Sequence, residues 1–387
     1  MTEPSDPPSS GGGAGTPDPT QDALLDAVTA VVPVLLRALD ALRYAGRHLN
    51  PPDLQGLAAQ LNGLRAPLAE GLSAFTAVDW PAGLSEFRQC VAGSAEHALT
   101  GLEGFVAAPA RGNPVLSAYR ALGQQWRALE RLYPVAAMLP PVGRFFLNER
   151  GRADAPFGAR LAERLAEADP YRDDAGVMHA SNEPEQRGGF SLYVPEYQRA
   201  DEPMPLVVAL HGGSGHGRGF LWSWLADARS HGCLLLAPTS REETWSLMGP
   251  DLDTANLEAM IDYVAGRWPV DRARILLTGM SDGGTFSWVA GLRDPSPFTH
   301  LAPVAGAFHP LLLEGASASR LAGLPVYLVH GALDWMFPVD VARVARDALA
   351  AAGADVTYRE IADLSHTWPI EENSCILDWL MRPRATP

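Results

Sequence analysis

Residues 275–284 read Ile275-Leu276-Leu277-Thr278-Gly279-Met280-Ser281-Asp282-Gly283-Gly284, an apolar run that enters Gly-x-Ser-x-Gly. A serine hydroxyl attacks a carbonyl only when a neighbouring base takes its proton and an acid orients that base. A serine on a sharp strand-to-helix turn is lifted off the sheet, and small flanking residues let the backbone pack beneath it. Its acid and base then follow in the chain, each past the end of a later strand. Val326–Val329 leads into His330-Gly331-Ala332-Leu333-Asp334, and Val356–Ile361 leads into Ala362-Asp363-Leu364-Ser365-His366. Order and placement make Ser281 the nucleophile, Asp334 the acid and His366 the base. His300, His309 and His330 are the competing bases, but only His366 follows the final strand. Asp363 competes as the acid, three residues from His366 on the same loop, where reaching Nδ1 would be cramped.

The tetrahedral oxyanion needs two fixed N–H donors. One is the amide of Asp282, at the start of the next helix. The other is expected from the glycine-rich loop His211-Gly212-Gly213-Ser214-Gly215-His216-Gly217 after the apolar run Leu206–Leu210, with Gly213 or the amide just after it as the donor. His211 should tie this loop down and, with Gly212, lie against the substrate. The loop has neither the lysine of a phosphate-cradling loop nor dinucleotide-binding register.

These residues need strand ends to hold them. From about Val177, short apolar runs alternate with helical ones: Phe190–Val194, Leu206–Leu210, Leu234–Ala237, Ile275–Thr278, Leu301–Val304, Val326–Val329 and Val356–Ile361. The alternation predicts an α/β fold, a mostly parallel sheet flanked by helices. Before it, apolar steps of three and four predict four helices. The first carries Leu24 to Leu42 and should be kinked or divided by Pro33. The second runs from Leu54 to Leu68 with Asp53 as its N-cap; the third spans about Gly83–Ala108, and the fourth follows Asn113-Pro114. The expected organisation is a disordered tail at 1–20, a helical bundle at 21–140, a bridging stretch at 141–176 that turns helical near Phe157–Ala168, and the α/β unit at 177–387.

The segments LVVALHGGSG, GMSDGG, LVHGALDWMFP and DLSHTWP resemble the α/β-hydrolase superfamily. More narrowly they are similar to phospholipase/carboxylesterase-type and polyhydroxybutyrate-depolymerase-like esterases, over about Gly188 to Leu380. The resemblance implies an α/β-hydrolase fold with the family's nucleophile, acid and base at Ser281, Asp334 and His366, and its oxyanion loop at His211–Gly213. It also implies hydrolysis of carboxylic esters, sometimes thioesters, without metal or cofactor. The N-terminal helices have no counterpart in the minimal members. They fit a cap, a homo-oligomer contact or a docking element for another protein, with a cap or dimer element preferred.

Composition narrows the rest. The 387 residues carry a formal charge of −15, and no basic stripe offsets it, so nucleic acid and anionic membranes are not expected partners. All 30 basic residues are arginine, which removes Schiff-base chemistry and Walker-type phosphate loops. Three cysteines without metal-ligand spacing read as buried thiols of a reducing compartment. With no signal peptide and no apolar run of spanning length, the expectation is a cytoplasmic protein with no membrane span. Eight of the ten tryptophans follow Val177. Trp335, Met336 and Phe337 directly follow the acid, Trp368 follows the base, and Trp245 sits past another strand end. Together they predict a pocket for a small hydrophobic or aromatic ester. An amide hydrolase with the same triad and a non-catalytic binding protein on the same scaffold remain alternatives.

Overall fold

The computed structural model describes residues 19–169 and 172–383. Most of the segment assigned to a tail therefore lies outside the described residues. The first helix, α1 (Pro19–Arg47), runs unbroken through Pro33. The proline ring faces solvent, while Val31, Val32 and Leu35 beside it are buried. Packing of the inner stripe thus outweighs the missing backbone donor. The expected second helix is two, α2 (Leu54–Asn62) and α3 (Arg65–Thr76), separated at Gly63-Leu64. Asp53 does not cap α2: it closes the turn Pro51–Asp53 in near-helical backbone, and its carboxylate accepts from Asn50 Nδ2 at 2.9 Å. Next come α4 (Ser85–Ala107) and α5 (Pro114–Leu132), the latter capped by the Asn113 side chain on the Leu116 amide. Three shorter helices follow, α6 (Pro140–Phe145), α7 (Glu149–Ala153) and α8 (Ala155–Glu167).

The sheet has eight strands in the order β1-β2-β4-β3-β5-β6-β7-β8. They are β1 (Gly176–Ala180), β2 (Phe190–Val194), β3 (Met204–Leu210), β4 (Leu234–Pro238), β5 (Val270–Met280), β6 (His300–Val304), β7 (Pro325–Gly331) and β8 (Asp355–Ile361). β2 runs antiparallel to both β1 and β4, and every other pairing is parallel. Between the strands lie α9 (Gly217–Phe220), α10 (Leu225–His231), α11 (Thr254–Ala265), α12 (Asp282–Gly291), α13 (Ala318–Leu321) and α14 (Asp340–Ala351); α15 (Glu372–Leu380) closes the chain's described part. β2, β3, β4, β6, nearly all of β7 and the Ile275–Gly279 half of β5 are buried on both faces, as a covered parallel sheet requires.

Each sheet face has its own core. On one face Leu206, Val208, Leu277 and Leu328 pack against α11, α12 and α14. On the other, Tyr193, Val207, Leu276 and Val329 join Trp222, Trp224 and α15 in a cluster that continues into Val31, Leu35, Leu42, Phe105 and Leu132 of the N-terminal helices. The helices before the sheet therefore share one continuous apolar core with it. Of the cysteines only Cys233 is buried; Cys375 is exposed because it sits on the outer side of α15. Among the described residues no helix is long and apolar enough to cross a membrane.

Candidate active site

β5 delivers Ser281 at φ 56° and ψ −117°, a backbone conformation L residues rarely adopt, and α12 begins at the next residue. The turn closes tightly against the end of β3: a Cβ on Gly283 would lie 2.5 Å from the carbonyl oxygens of Leu210 and His211. β7 and β8 are aligned with Gly331 opposite Ile361, so Asp334 and His366 emerge three and five residues beyond adjacent strand ends. Two bonds, Ala332 N–H to Ile361 O and Leu333 N–H to Leu364 O, both 2.9 Å, draw the two loops together.

The three side chains meet. His366 Nδ1 donates to Asp334 Oδ2 at 2.8 Å, and Ser281 Oγ donates to His366 Nε2 at 3.0 Å. All three residues are buried. Asp334 Oδ1 accepts the amides of Met336 at 2.9 Å and Phe337 at 2.8 Å. Burial alone would raise the Asp334 carboxyl, but the His366 hydrogen bond and these amides outweigh it and hold it below the usual carboxylate range. The acid is thus an ion at neutral pH, fixed on both oxygens.

The other candidates are engaged elsewhere. His330 is buried beside the acid, donating through Nε2 to Phe337 O at 2.8 Å and lying 3.4 Å from Asp334 Oδ2. His309 Nδ1 accepts the Leu311 amide, and His300 packs edge-on to Trp379. Asp363 faces outward and pairs with Arg47 at 3.1 Å.

The glycine-rich loop lies over the elbow, where a Cβ on Gly212 would sit 3.6 Å from Ser281 Cβ. At Gly213 a Cβ would come within 2.7 Å of Asp282 Oδ2, which accepts Thr244 Oγ1 at 2.6 Å. The Asp282 amide, first in α12, has no acceptor within its own helix. His211 sits behind the loop: Ser240 N–H donates to its Nε2 at 3.1 Å, and Trp245 Nε1 donates to its carbonyl at 2.7 Å. Burial pushes the His211 imidazole down to about 3, so it stays neutral. Trp245 is buried and stacks on Phe286, supporting the loop from below.

A cavity of about 290 Å³ adjoins the elbow, with Met280 and Thr367, the chain neighbours of Ser281 and His366, in its wall. Of the aromatics expected around the substrate only Trp368 lines it. Trp335 and Met336 are half exposed, with the Trp335 ring centroid 6.5 Å from that of His366, and Phe337 packs at 5.4 Å on the imidazole. The cavity's other aromatics are Phe220 and Trp222 from α9 and the turn after it, Tyr119 and Trp126 from α5, and Phe145 and Phe146 at the end of α6. Sequence reading missed the share of α5, because Tyr119, Leu122 and Trp126 form part of a helical stripe that reads as bundle core. Nothing local in such a stripe marks contact with a loop some 250 residues away.

Residues 251–381 match the phospholipase/carboxylesterase family. With the strand order and the elbow at the end of β5, that match settles the architecture. This is an α/β-hydrolase fold. Over 156 residues the chain is 28% identical to a bifunctional acetylxylan esterase/xylanase from Neocallimastix patriciarum, a match covering 39% of this chain and 22% of that protein. Over 142 residues it is 27% identical to feruloyl esterase B from Neurospora crassa, covering 33% and 47% respectively. The chain thus spans less than half the length of these curated relatives. Among solved structures, a thermostable esterase aligns at 26% identity and a TM-score of 0.45, covering 54% of this chain and 62% of that one.

Proposed function

We propose that the chain is a serine carboxylesterase working through Ser281, His366 and Asp334. The observation that carries this is the unbroken hydrogen-bonded path from Asp334 Oδ2 through both imidazole nitrogens to Ser281 Oγ. With Nδ1–H committed to the carboxylate, the free Nε2 lone pair takes the serine proton as Oγ attacks the ester carbonyl. The imidazolium that forms lies against a carboxylate already ionised and fixed. Amides at Asp282 and near Gly213 receive the oxyanion, with the N-terminus of α12 pointing at it. Collapse of the intermediate expels the alcohol with the proton from His366, and water deacylates Ser281 by the reverse path.

The cavity supports an apolar or aromatic group on the ester, since its wall is built largely from aromatic and aliphatic side chains. The two curated relatives are both esterases, which favours ester over amide substrates. A fluorophosphonate probe should label Ser281, and Ser281→Ala should lower hydrolysis of p-nitrophenyl esters by roughly four orders of magnitude or more while leaving the circular dichroism spectrum unchanged. Turnover within tenfold of the parent chain after that substitution refutes the assignment. Parallel assay of p-nitroanilides tests the preference for esters.

A further inference from the structure

The catalytic histidine stands on a segment that the sheet holds from one side only. Residues 362–371, between β8 and α15, form no helix or strand, and the inner anchor is the bond from Leu333 N–H to Leu364 O. The outer side is held by the N-terminal helices. Tyr119, on α5, donates its hydroxyl to the main-chain carbonyl of His366 itself at 2.8 Å. Thr367 Oγ1 donates to the carbonyl of Arg47, the last residue of α1, at 2.8 Å. The buried Arg47 guanidinium reaches both ends of the segment: Nη2 donates to Asp363 Oδ1 at 3.1 Å, and Nε donates to Glu371 Oε1 at 2.5 Å.

We propose that Arg47 and Tyr119 are positioning residues for His366, so that α1 and α5 belong to the working active site. The inference rests on the serine-hydrolase reading. It gives the N-terminal helices a task beyond covering apolar surface. Asp363 and Glu371 are 66% and 47% exposed, so solvent screens much of the ionic attraction, and the geometry of the hydrogen bonds matters more than the charge. Arginine suits this place because its planar fork aims separate N–H groups at separate acceptors. The tyrosine acts at the most sensitive point, since its acceptor is the peptide unit of the base. The imidazole must keep Nδ1 on Asp334 and Nε2 on Ser281 together, and a displacement of about 1 Å in such an arrangement costs on the order of a hundredfold in rate. Arg47, Tyr119 and Thr367 also form part of the cavity wall, but Tyr119→Phe keeps the ring that lines it and removes only the bond to the His366 peptide, so that loss should act on turnover and not on binding.

The test compares Tyr119→Phe, Arg47→Met and Arg47→Lys in the full chain, reading kcat and KM for a p-nitrophenyl ester and the rate of fluorophosphonate labelling. Tyr119→Phe keeps the ring and removes one hydroxyl. It should lower kcat and the labelling rate by roughly five- to tenfold with KM within twofold and thermal stability nearly unchanged. Arg47→Met should lower both rates by roughly ten- to a hundredfold, and Arg47→Lys should recover part of that loss. If Arg47→Met does not fold, Tyr119→Phe decides alone. Rates within twofold of the parent chain in the folded variants overturn the proposal while leaving the triad intact. Undiminished turnover by Ser281→Ala instead removes the serine reading, and this proposal with it.

Discussion

The tautomer of His366 is dictated from the far side of Asp334. Because the amides of Met336 and Phe337 both point at Oδ1, only an acceptor can stand there, which leaves Oδ2 for the imidazole Nδ1–H. In Asp334→Asn the amide oxygen must take the Oδ1 place, so its NH2 faces Nδ1. That pairing forces the proton onto Nε2, where it points at Ser281 and cannot accept the serine proton. Steady-state kinetics should show kcat down by about four orders of magnitude, with an unchanged circular dichroism spectrum. A second prediction concerns His211, neutral in the fold with its imidazole lowered to about 3 by burial. Below the ordinary histidine range near 6.5 the unfolded chain takes up a proton that the folded chain refuses, so stability falls as pH drops from about 6.5 toward 3. The contribution is a slope of up to roughly 1.4 kcal/mol per pH unit in that window. Urea unfolding at a series of pH values should show a shallower slope for His211→Gln than for the parent chain. An identical slope would mean that His211 titrates normally.

At the scale of elements, the elbow was legible because its requirement is local: an apolar strand, small residues and a helix start must follow one another directly. The packing confirms why Gly283 is small. Gly283→Ala would drive a Cβ into two backbone carbonyls at 2.5 Å, and backbone cannot rotate aside. It should cost about 1–3 kcal/mol or more, read as a lower urea midpoint at constant m-value, with activity falling alongside. Other elements were less legible because distant partners decide them. Pro33 reads as a break from local chemistry alone, yet α1 continues because Val31, Val32 and Leu35 are fixed by the bundle. Leu54 to Leu68 keeps a helical spacing straight through Gly63-Leu64, so the stripe conceals the join between α2 and α3. β1 carries no strong apolar pattern, being mostly half-buried at the sheet edge, and its pairing to β2 is what makes it a strand. Trp245 near a strand end reads equally well as pocket or support, and only its bond to the His211 carbonyl distinguishes them.

For the whole molecule, the decisive fact is that one apolar core runs from the sheet into the N-terminal helices. Polar contacts cross the same boundary. Tyr133 Oη donates to Glu196 Oε1 at 2.6 Å, Arg218 pairs with Glu130 at 2.6 Å, and Arg229 Nη1 donates to the Gly143 carbonyl at 2.9 Å. Glu196 and Arg229 also pair with each other at 3.1 Å, largely shielded from solvent. A chain beginning at Val177 would keep the triad and the entire sheet apart from the first residue of β1. It would also expose Trp222 and the aromatic wall around it, and admit water to the Glu196–Arg229 pair. Composition draws the boundary between bundle and sheet at this point, yet physical cohesion does not respect it. Exposed apolar surface of this extent is an aggregation liability, and losing its packing partner removes on the order of 25 cal/mol for each Å² uncovered. The shortened chain should therefore bind the dye ANS, lose near-ultraviolet circular dichroism and sediment as aggregates, with no fluorophosphonate labelling. If it is instead monomeric, cooperatively folded and labelled at the parent rate, then the helices are an accessory to a self-sufficient hydrolase fold. In that case Arg47 and Tyr119 cannot be what holds His366 in place.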